Sequence, residues 1–199
     1  EKNLLQKWNI NDEKKIILMP GRLTSWKGQE LFIKAINLVK IELGYEAFHA
    51  VILGNDQGRD LYKKKLIRLT EQYHLTNQIK FIDHCEDMAL AYKVSDIIVS
   101  ASIEPEAFGR VAVEAQSMEK LIIASNIGGS NETIIDEKTG FLFKSGDAES
   151  LSKKIIHGLT MDETSINLMG KEGRNNIIKK FNVEKMCFST YSEYKRLLN

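Results

Sequence analysis

The chain has 199 residues, of which 43% are apolar, enough for one sizeable hydrophobic core. Its 28 Lys and Arg residues against 27 Asp and Glu residues give a formal charge of +1, without the basic excess of a nucleic-acid binder. Apolar runs are too short to span a bilayer, there is no signal-peptide core, and the two cysteines lack partners at zinc spacing. We therefore expect one soluble cytoplasmic domain without a disulfide framework or a metal site.

Short β-branched runs alternate along the chain with segments of helical period, as in βα units that form a parallel sheet. Strands are predicted at residues 15–19, 50–53, 79–82, 96–101, 121–124 and 140–143. Helices are predicted at 29–43, 60–73, 88–94, 111–118 and 148–159, and then at 164–180 and 183–198 with no strand after them. Because the strand runs are apolar on both faces, helices should cover both sides of the sheet. The predicted fold is a Rossmann-like, doubly wound parallel sheet in three α/β/α layers.

The beginning of the chain suggests a longer protein. It opens at Glu1 rather than Met, and a short amphipathic stretch with Leu4, Leu5 and Trp8 precedes the first strand. We interpret residues 1–14 as the end of an interdomain linker, and residues 1–199 as a single domain.

Loops that follow the carboxyl ends of the strands hold the ligand in sheets of this type. The first such loop, PGRLTSWKGQE, places Gly21, Arg22, Lys27 and Gly28 before a helix. Glycines let the backbone approach a ligand, and an Arg and a Lys above a helix N-terminus suit a diphosphate. A βα turn with solvated charges is the alternative that this loop alone leaves open.

Two further loops contain glycines. The loop LGNDQGRD has Gly54 and Gly58, but it has neither the GxGxxG fingerprint nor a Walker lysine, so turn chemistry explains it equally well. The loop SNIGGSNET has Gly128 and Gly129, whose N–H groups are placed to face an anion, as in a nest.

The stretch SASIEPEAFGRVAVEAQSM after the fourth strand is the most informative segment. Glu106 lies in the loop, Phe108 and Gly109 open a helix, and Glu114 falls about one and a half turns inside it. Acidic residues on helices are usually solvated or paired with the helix dipole. Because this helix begins at the predicted ligand crevice, we favour a role for both carboxylates in ligand contact.

Together these loops resemble the donor-binding, C-terminal half of the GT-B glycosyltransferases, specifically the retaining family 4 (glycosyl transferases group 1). The resemblance covers nearly the whole chain. It rests on GRLxxxKG at residues 21–28, the glycine loop at Gly54, two glutamates separated by seven residues, and GG at 128–129. The family implies sugar transfer from a nucleoside-diphosphate sugar with retention of anomeric configuration, in cell-envelope polysaccharide or lipopolysaccharide synthesis.

The resemblance also implies roles for individual residues. Arg22 and Lys27 would neutralise the donor diphosphate, Glu114 would accept hydrogen bonds from the ribose, and Glu106 would contact the transferred sugar. Amides at the start of the helix would face sugar hydroxyls or phosphate, and the loop 82–87 would line the base. The residues predicted to be catalytic are Glu106, Arg22 and Lys27, and those predicted to bind the donor are Gly21, Arg22, Lys27, Gly54, Ile82, Glu106, Ala107, Phe108, Gly109, Arg110 and Glu114.

No metal is expected, because the basic residues and the helix dipole would stabilise the charge on the leaving diphosphate. The nucleotide sugar is the expected ligand, and an acceptor-binding domain that precedes Glu1 is the expected partner. In the family the last helix, here 182–199, crosses to that domain, so Met186, Phe188 and Tyr191 should be partly exposed. Peripheral association of a full-length protein with the inner face of the membrane stays open. We interpret His84, in the base-contacting loop, as a surface histidine.

The chain departs from the family pattern after the predicted helix 111–118. Glu119, Lys120 and Leu121 stand where relatives commonly have Gly and then Lys-Pro, so a helix C-terminal glycine is missing at a cost of about 1 kcal/mol.

Three other functions are considered for the chain. The alternatives are a non-catalytic nucleotide-sugar-binding module and a GT-B-like sugar epimerase, which ordinarily lacks the paired glutamates. A dehydrogenase is disfavoured, because no glycine fingerprint follows the first strand.

Overall fold

A computed structural model describes residues 1–10, 13–44, 48–58 and 60–198. Its sheet has six parallel strands in the order β3-β2-β1-β4-β5-β6. The strands are β1 (Lys15–Pro20), β2 (Phe48–Leu53), β3 (Ile79–Ile82), β4 (Ile97–Ser100), β5 (Leu121–Ser125) and β6 (Phe141–Phe143). This order belongs to the doubly wound dinucleotide-binding fold. The predicted fold class is therefore confirmed.

Nine α-helices lie within the described ranges, together with a 3-10 turn at Ser25–Lys27. They are α1 (Lys2–Lys7), α2 (Gln29–Leu43), α3 (Asp60–Gln72), α4 (Met88–Lys93), α5 (Arg110–Ser117), α6 (Ser130–Thr133), α7 (Ala148–Thr160), α8 (Glu163–Lys180) and α9 (Val183–Leu198). The predicted helices occur with small differences at their ends. Helices α1 and α6 and the 3-10 turn were not predicted, and β4 is shorter than the predicted 96–101.

The sheet separates two hydrophobic cores. On one face, α2, α3 and α7 contribute Phe32, Leu66 and Leu151 among others. On the other face, side chains of α1, α4 and α5, such as Leu5 and Tyr92, pack against the strands. With both faces covered, the continuous apolar strands are buried as expected.

The two ends of the chain differ in how they contact this domain. In the segment interpreted as a linker, Leu5 and Trp8 are only 7% and 4% exposed, so α1 is packed onto the second core. No residue of α9 is buried, and Phe188 is 72% exposed. Whether either segment contacts another domain stays a prediction. None of the helices in the described part of the chain has the length and apolarity needed to cross a membrane.

Candidate active site

The candidate site lies where the loops after β1 and β4 meet, because these strands are neighbours in the middle of the sheet. The amide N–H of Ile103 donates to the carbonyl of Trp26 at 2.8 Å and joins the two loops directly. Gly28 is required at this junction, since its φ is +79° and an added Cβ would collide with the carbonyl oxygen of Ala101. Backbone contacts therefore fix the spacing of the two loops.

An ion pair between Lys27 and Glu106 bridges the loops, with Nζ 2.8 Å from Oε2. The two side chains are 14% and 18% exposed, so the pair is largely removed from solvent. The hydroxyl of Ser102, just after β4, donates to the other oxygen of Glu106, Oε1. The ammonium group of Lys27 also lies 4.5 Å from the ring centroid of Trp26, in cation–π geometry. Both carboxylate oxygens of Glu106 are thus engaged by protein groups.

Helix α5 begins at the same place. Gly109 is its N-cap with a left-handed φ of 73°, and Arg110 is its first residue. The first turn of a helix carries unpaired N–H groups and a partial positive charge. This turn therefore adds to the positive potential beside Lys27.

Glu114 lies farther along α5 and accepts a hydrogen bond from the phenol of Tyr92 on α4, with 2.7 Å between the hydroxyl oxygen and Oε2. Tyr92 is 2% exposed. Burial, and then the hydrogen bond to Glu114, raise the pKa of the Tyr92 phenol well above its ordinary value. The phenol therefore stays protonated near neutral pH and acts as a donor to the carboxylate.

These groups surround a pocket of about 340 Å³ at the carboxyl edge of the sheet. A second pocket of about 560 Å³ adjoins it, and Gly21, Arg110, Val111 and Glu114 line both. The residues that line the first pocket are Gly21, Arg22, Trp26, Lys27, Glu106, Ala107, Phe108, Gly109, Arg110, Val111 and Glu114. The structure thus brings together nine of the eleven predicted donor-binding residues, because Gly54 and Ile82 are not among the lining residues.

Arg22 contributes an exposed cation to this pocket. Its carbonyl accepts a hydrogen bond from Nε2 of Gln29 at 2.9 Å, which holds the backbone in place. Its guanidinium forms no salt bridge with any residue in the described ranges. Arg22 is therefore available to an anionic ligand, whereas Lys27 is already paired.

Gly54 and Ile82 do not line the pocket, and their contact with the donor stays a prediction. The amide N–H of Gly54 donates to the carbonyl of Ile82 at 2.8 Å, and the amide of Gly21 donates to the carbonyl of Leu53 at 2.8 Å. A Cβ on Gly54 would collide with the carbonyl oxygen of Gly21. In this structure Gly54 supports the first loop by close packing, and the exposed His84 lies in the following loop.

The nest interpretation of the GG loop is corrected at Gly129, because its amide N–H donates to the carbonyl of Glu106 at 2.8 Å and is not directed to a ligand. A Cβ on Gly128 would lie 2.6 Å from the same carbonyl oxygen. The GG loop therefore packs behind the Glu106 loop and holds it.

Four site residues were missed from the sequence: Trp26 and Val111 in the pocket wall, and Ser102 and Tyr92 as hydrogen-bond partners of the glutamates. Ser102 could have been found, since it precedes Glu106 by four residues in the same loop. Tyr92 carried no such signal, because it lies on a different helix. Among the described residues, no group of three or more His, Cys, Asp and Glu side chains could hold a metal ion.

A family model, solved structures and curated proteins all match most of the chain, and each of these three comparisons finds glycosyltransferases. The family described as Glycosyl transferases group 1 matches residues 1–176. A glycosyltransferase from Rickettsia africae ESF-5 superposes with a TM-score of 0.92 and 33% identity, covering 100% of this chain and 52% of that one. Anabaena Alr3699/HepE, solved in complex with UDP-glucose, has the same fold, with a TM-score of 0.87, 24% identity and coverage of 98% and 52%.

Among curated proteins, the capsular polysaccharide biosynthesis glycosyltransferase CapM of Staphylococcus aureus is 26% identical over 178 residues. That alignment covers 89% of this chain and 45% of CapM. The chain thus spans half or less of the length of these curated relatives.

Proposed function

Because the chain belongs to the glycosyl transferases group 1 family, we propose that it is the donor-binding domain of a retaining glycosyltransferase. The whole protein would transfer a sugar from a nucleoside-diphosphate sugar to an acceptor hydroxyl. The observation that carries this proposal is the pocket in which Arg22, the Lys27–Glu106 ion pair and the N-terminus of α5 meet. HepE, which shares the fold, was solved with UDP-glucose, and this supports a nucleotide sugar as the ligand.

Electrostatic attraction between the basic groups of the pocket and the diphosphate positions the nucleotide-sugar donor. The diphosphate binds between Arg22, Lys27 and the first turn of α5, where cations and a helix dipole act on the same anion. Glu114 accepts hydrogen bonds from the ribose, and Glu106 faces the transferred sugar. The second pocket, which shares Arg110 and Glu114 with the first, provides room for the nucleoside.

Donor binding exchanges one partner of Lys27 for another. In the unliganded site the ammonium is neutralised by Glu106, and the arriving diphosphate competes with that carboxylate for it. Once Lys27 has turned to the diphosphate, one oxygen of Glu106 is released to contact the sugar, while Ser102 continues to hold the other. Donor binding therefore makes the Lys27 ammonium available to the diphosphate and the Glu106 carboxylate available to the sugar at the same time.

In the reaction the bond between the anomeric carbon and the diphosphate oxygen breaks, the acceptor oxygen bonds to that carbon, and the acceptor proton passes to the departing diphosphate oxygen on the same face. The leaving nucleoside diphosphate gains negative charge, so fixed cations stabilise the transition state more than the ground state. Arg22, Lys27 and α5 would supply this stabilisation without a divalent cation. Retention follows from attack on the face from which the diphosphate departs.

The acceptor side of the cleft would come from a second, N-terminal domain that covers α9. The side chains of Met186, Phe188 and Tyr191 on that helix are more than half exposed, and burial of such surface is favourable. The relation to CapM, a capsular polysaccharide biosynthesis glycosyltransferase, supports a role in cell-envelope polysaccharide synthesis. Lipopolysaccharide synthesis and a place at the inner face of the membrane are further parts of the proposal.

The proposal is tested by thermal unfolding of this chain with UDP-, GDP- and ADP-sugars in the presence of EDTA. A ligand at about 100 times its Kd stabilises the folded state by about 2.7 kcal/mol, so we expect one nucleotide class to raise Tm. Arg22→Ala and Glu114→Ala should each reduce the rise clearly, because they remove a diphosphate and a ribose contact.

Arg68→Ala and Glu71→Ala, exposed on α3, are matched controls that should keep the rise in Tm. An undiminished rise in Arg22→Ala and Glu114→Ala would contradict the site. A rise that requires added Mg²⁺ would contradict the metal-independent mechanism.

A further inference from the structure

Tyr92 is the one buried phenol that touches the candidate site within the described part of the chain. Its hydroxyl bonds to Oε2 of Glu114 at 2.7 Å, and the ring is packed in the second core with 2% of its surface exposed. The two residues are 22 positions apart in sequence and lie on different helices, α4 and α5. The contact therefore depends on the tertiary fold and is not a local helix contact.

In the hydrogen bond between Tyr92 and Glu114, the donor and the acceptor are fixed. The buried phenol remains protonated, because burial raises its pKa, so Tyr92 donates and the carboxylate of Glu114 accepts. The other carboxylate oxygen, Oε1, has no hydrogen-bond partner among the described residues. Tyr92 lines only the second pocket, whereas Glu114 lines both. One oxygen of Glu114 is thus held from the buried side, and the other is available at the pocket.

A carboxylate held in this way suits a vicinal diol. The free oxygen has two lone pairs, and a ribose presents two adjacent hydroxyl donors. Without Tyr92, the Glu114 side chain would be free to rotate and would lose more conformational entropy when it binds the sugar. A ligand that lacks one hydroxyl would leave part of this prearranged acceptor unused.

We propose that Tyr92 is a positioning residue that fixes Glu114 and so makes the site select a ribonucleotide over its 2′-deoxy form. This inference rests on the proposed function, since it assigns Glu114 to the ribose of the donor. The inference goes beyond the proposed function in two respects. It assigns a role to Tyr92, which does not line the pocket around Arg22 and Lys27, and it names the 2′ hydroxyl of the ribose as the group that is selected.

Calorimetric titration of this chain with UDP and 2′-deoxy-UDP, and with the corresponding GDP and ADP pairs, tests the proposal. We expect the wild type to prefer the ribonucleotide by roughly tenfold, as for one hydrogen bond to a charged group. Tyr92→Phe, which keeps the ring and removes the hydroxyl, should weaken ribonucleotide binding about fivefold and deoxynucleotide binding by clearly less. In Glu114→Ala the preference should be lost, and adding Tyr92→Phe should change nothing further.

Tyr62→Phe is the matched control, because the Tyr62 hydroxyl also has a single side-chain partner, Gln29, at 3.2 Å. It should leave the ribose preference intact. Tyr92→Leu, which also lacks the hydroxyl but packs differently, repeats the measurement if Tyr92→Phe does not fold.

Equal weakening of both nucleotides by Tyr92→Phe, or an unchanged preference, would overturn the inference and leave the proposed function standing. Failure of the wild type to bind any of the three nucleoside diphosphates would overturn both.

Discussion

At the scale of single residues, three charged side chains of the candidate site, Lys27, Glu106 and Glu114, already have a protein partner, whereas Arg22 has no salt bridge among the described residues. Lys27 binds Glu106 in a protected position, Ser102 holds the second oxygen of Glu106, and Tyr92 holds Glu114. Pairing of this kind reduces the cost of keeping charges in a partly buried place. It also means that a ligand has to displace a protein group before it can use Lys27.

The ion pair predicts the effect of Glu106→Gln on this chain. Removing the competing carboxylate should tighten UDP binding about fivefold, because the Lys27 ammonium is then available to the diphosphate. Calorimetric titration measures the change. In the whole protein the same substitution should reduce sugar transfer, since Gln cannot supply negative charge at the sugar.

Glu104→Gln serves as the control for that substitution. Glu104 lies two residues earlier in the same loop and is exposed, so UDP affinity should not change. Weaker UDP binding by Glu106→Gln would show that the ion pair helps, rather than competes with, the diphosphate.

Sequence analysis predicted the site residues that lie in the loops after β1 and β4. It missed a site residue such as Tyr92, which lies on a different helix and reaches the site only through tertiary packing. Nine predicted positions line one pocket because two adjacent strands carry them there. Tyr92 could not be predicted, because its contact with Glu114 depends on how α4 packs beside α5. The nest interpretation failed at Gly129 for a related reason: the sequence does not show that the Glu106 carbonyl takes that amide proton.

At the scale of elements, long periodic segments and apolar strands were predictable and short elements were not. Helices α1 and α6 have six and four residues, too few to show a helical period. Tertiary contacts stabilise α1, since Leu5 is buried against the second core. In α6, the side chain of Thr133 donates to the carbonyl of Gly129 at 2.9 Å.

Glu119, which stands after α5 where relatives commonly have glycine, adopts a left-handed backbone conformation with a φ of +57°. Left-handed backbone is unfavourable for a residue with a side chain, so Glu119→Gly should raise the free energy of unfolding by about 0.5–1 kcal/mol. Denaturant unfolding measures the gain. The substitution also removes the 3.7 Å ion pair to Arg174, which is partly exposed and contributes little.

Glu119→Ala separates these two effects, because it removes the ion pair and keeps the Cβ. The Gly variant should therefore be more stable than the Ala variant. Equal stability of the two variants would show that the left-handed conformation costs nothing here.

At the scale of the whole molecule, α9 stands apart from the rest of the domain. None of its residues is buried, whereas α8 before it buries Met169 and Ile177. A chain that ends at Asn182 should therefore keep its Tm within about 2 °C, because little apolar surface is re-exposed. Thermal unfolding followed by circular dichroism measures this.

A chain that ends at Asp162 is the contrasting variant. It also lacks α8, which packs against α5, so it should lose cooperative unfolding. A fall of more than about 5 °C after removal of α9 alone would show that this helix stabilises the domain by itself.

The pairing of Lys27 with Glu106 also determines how the molecule attracts a ligand from a distance. Three basic and two acidic side chains line the pocket, and the whole chain has a formal charge of only +1. Such a weak field accelerates diffusional encounter with an anion very little. We therefore expect selection to occur after contact, through the lifetime of the complex, and the association rate to depend only slightly on ionic strength.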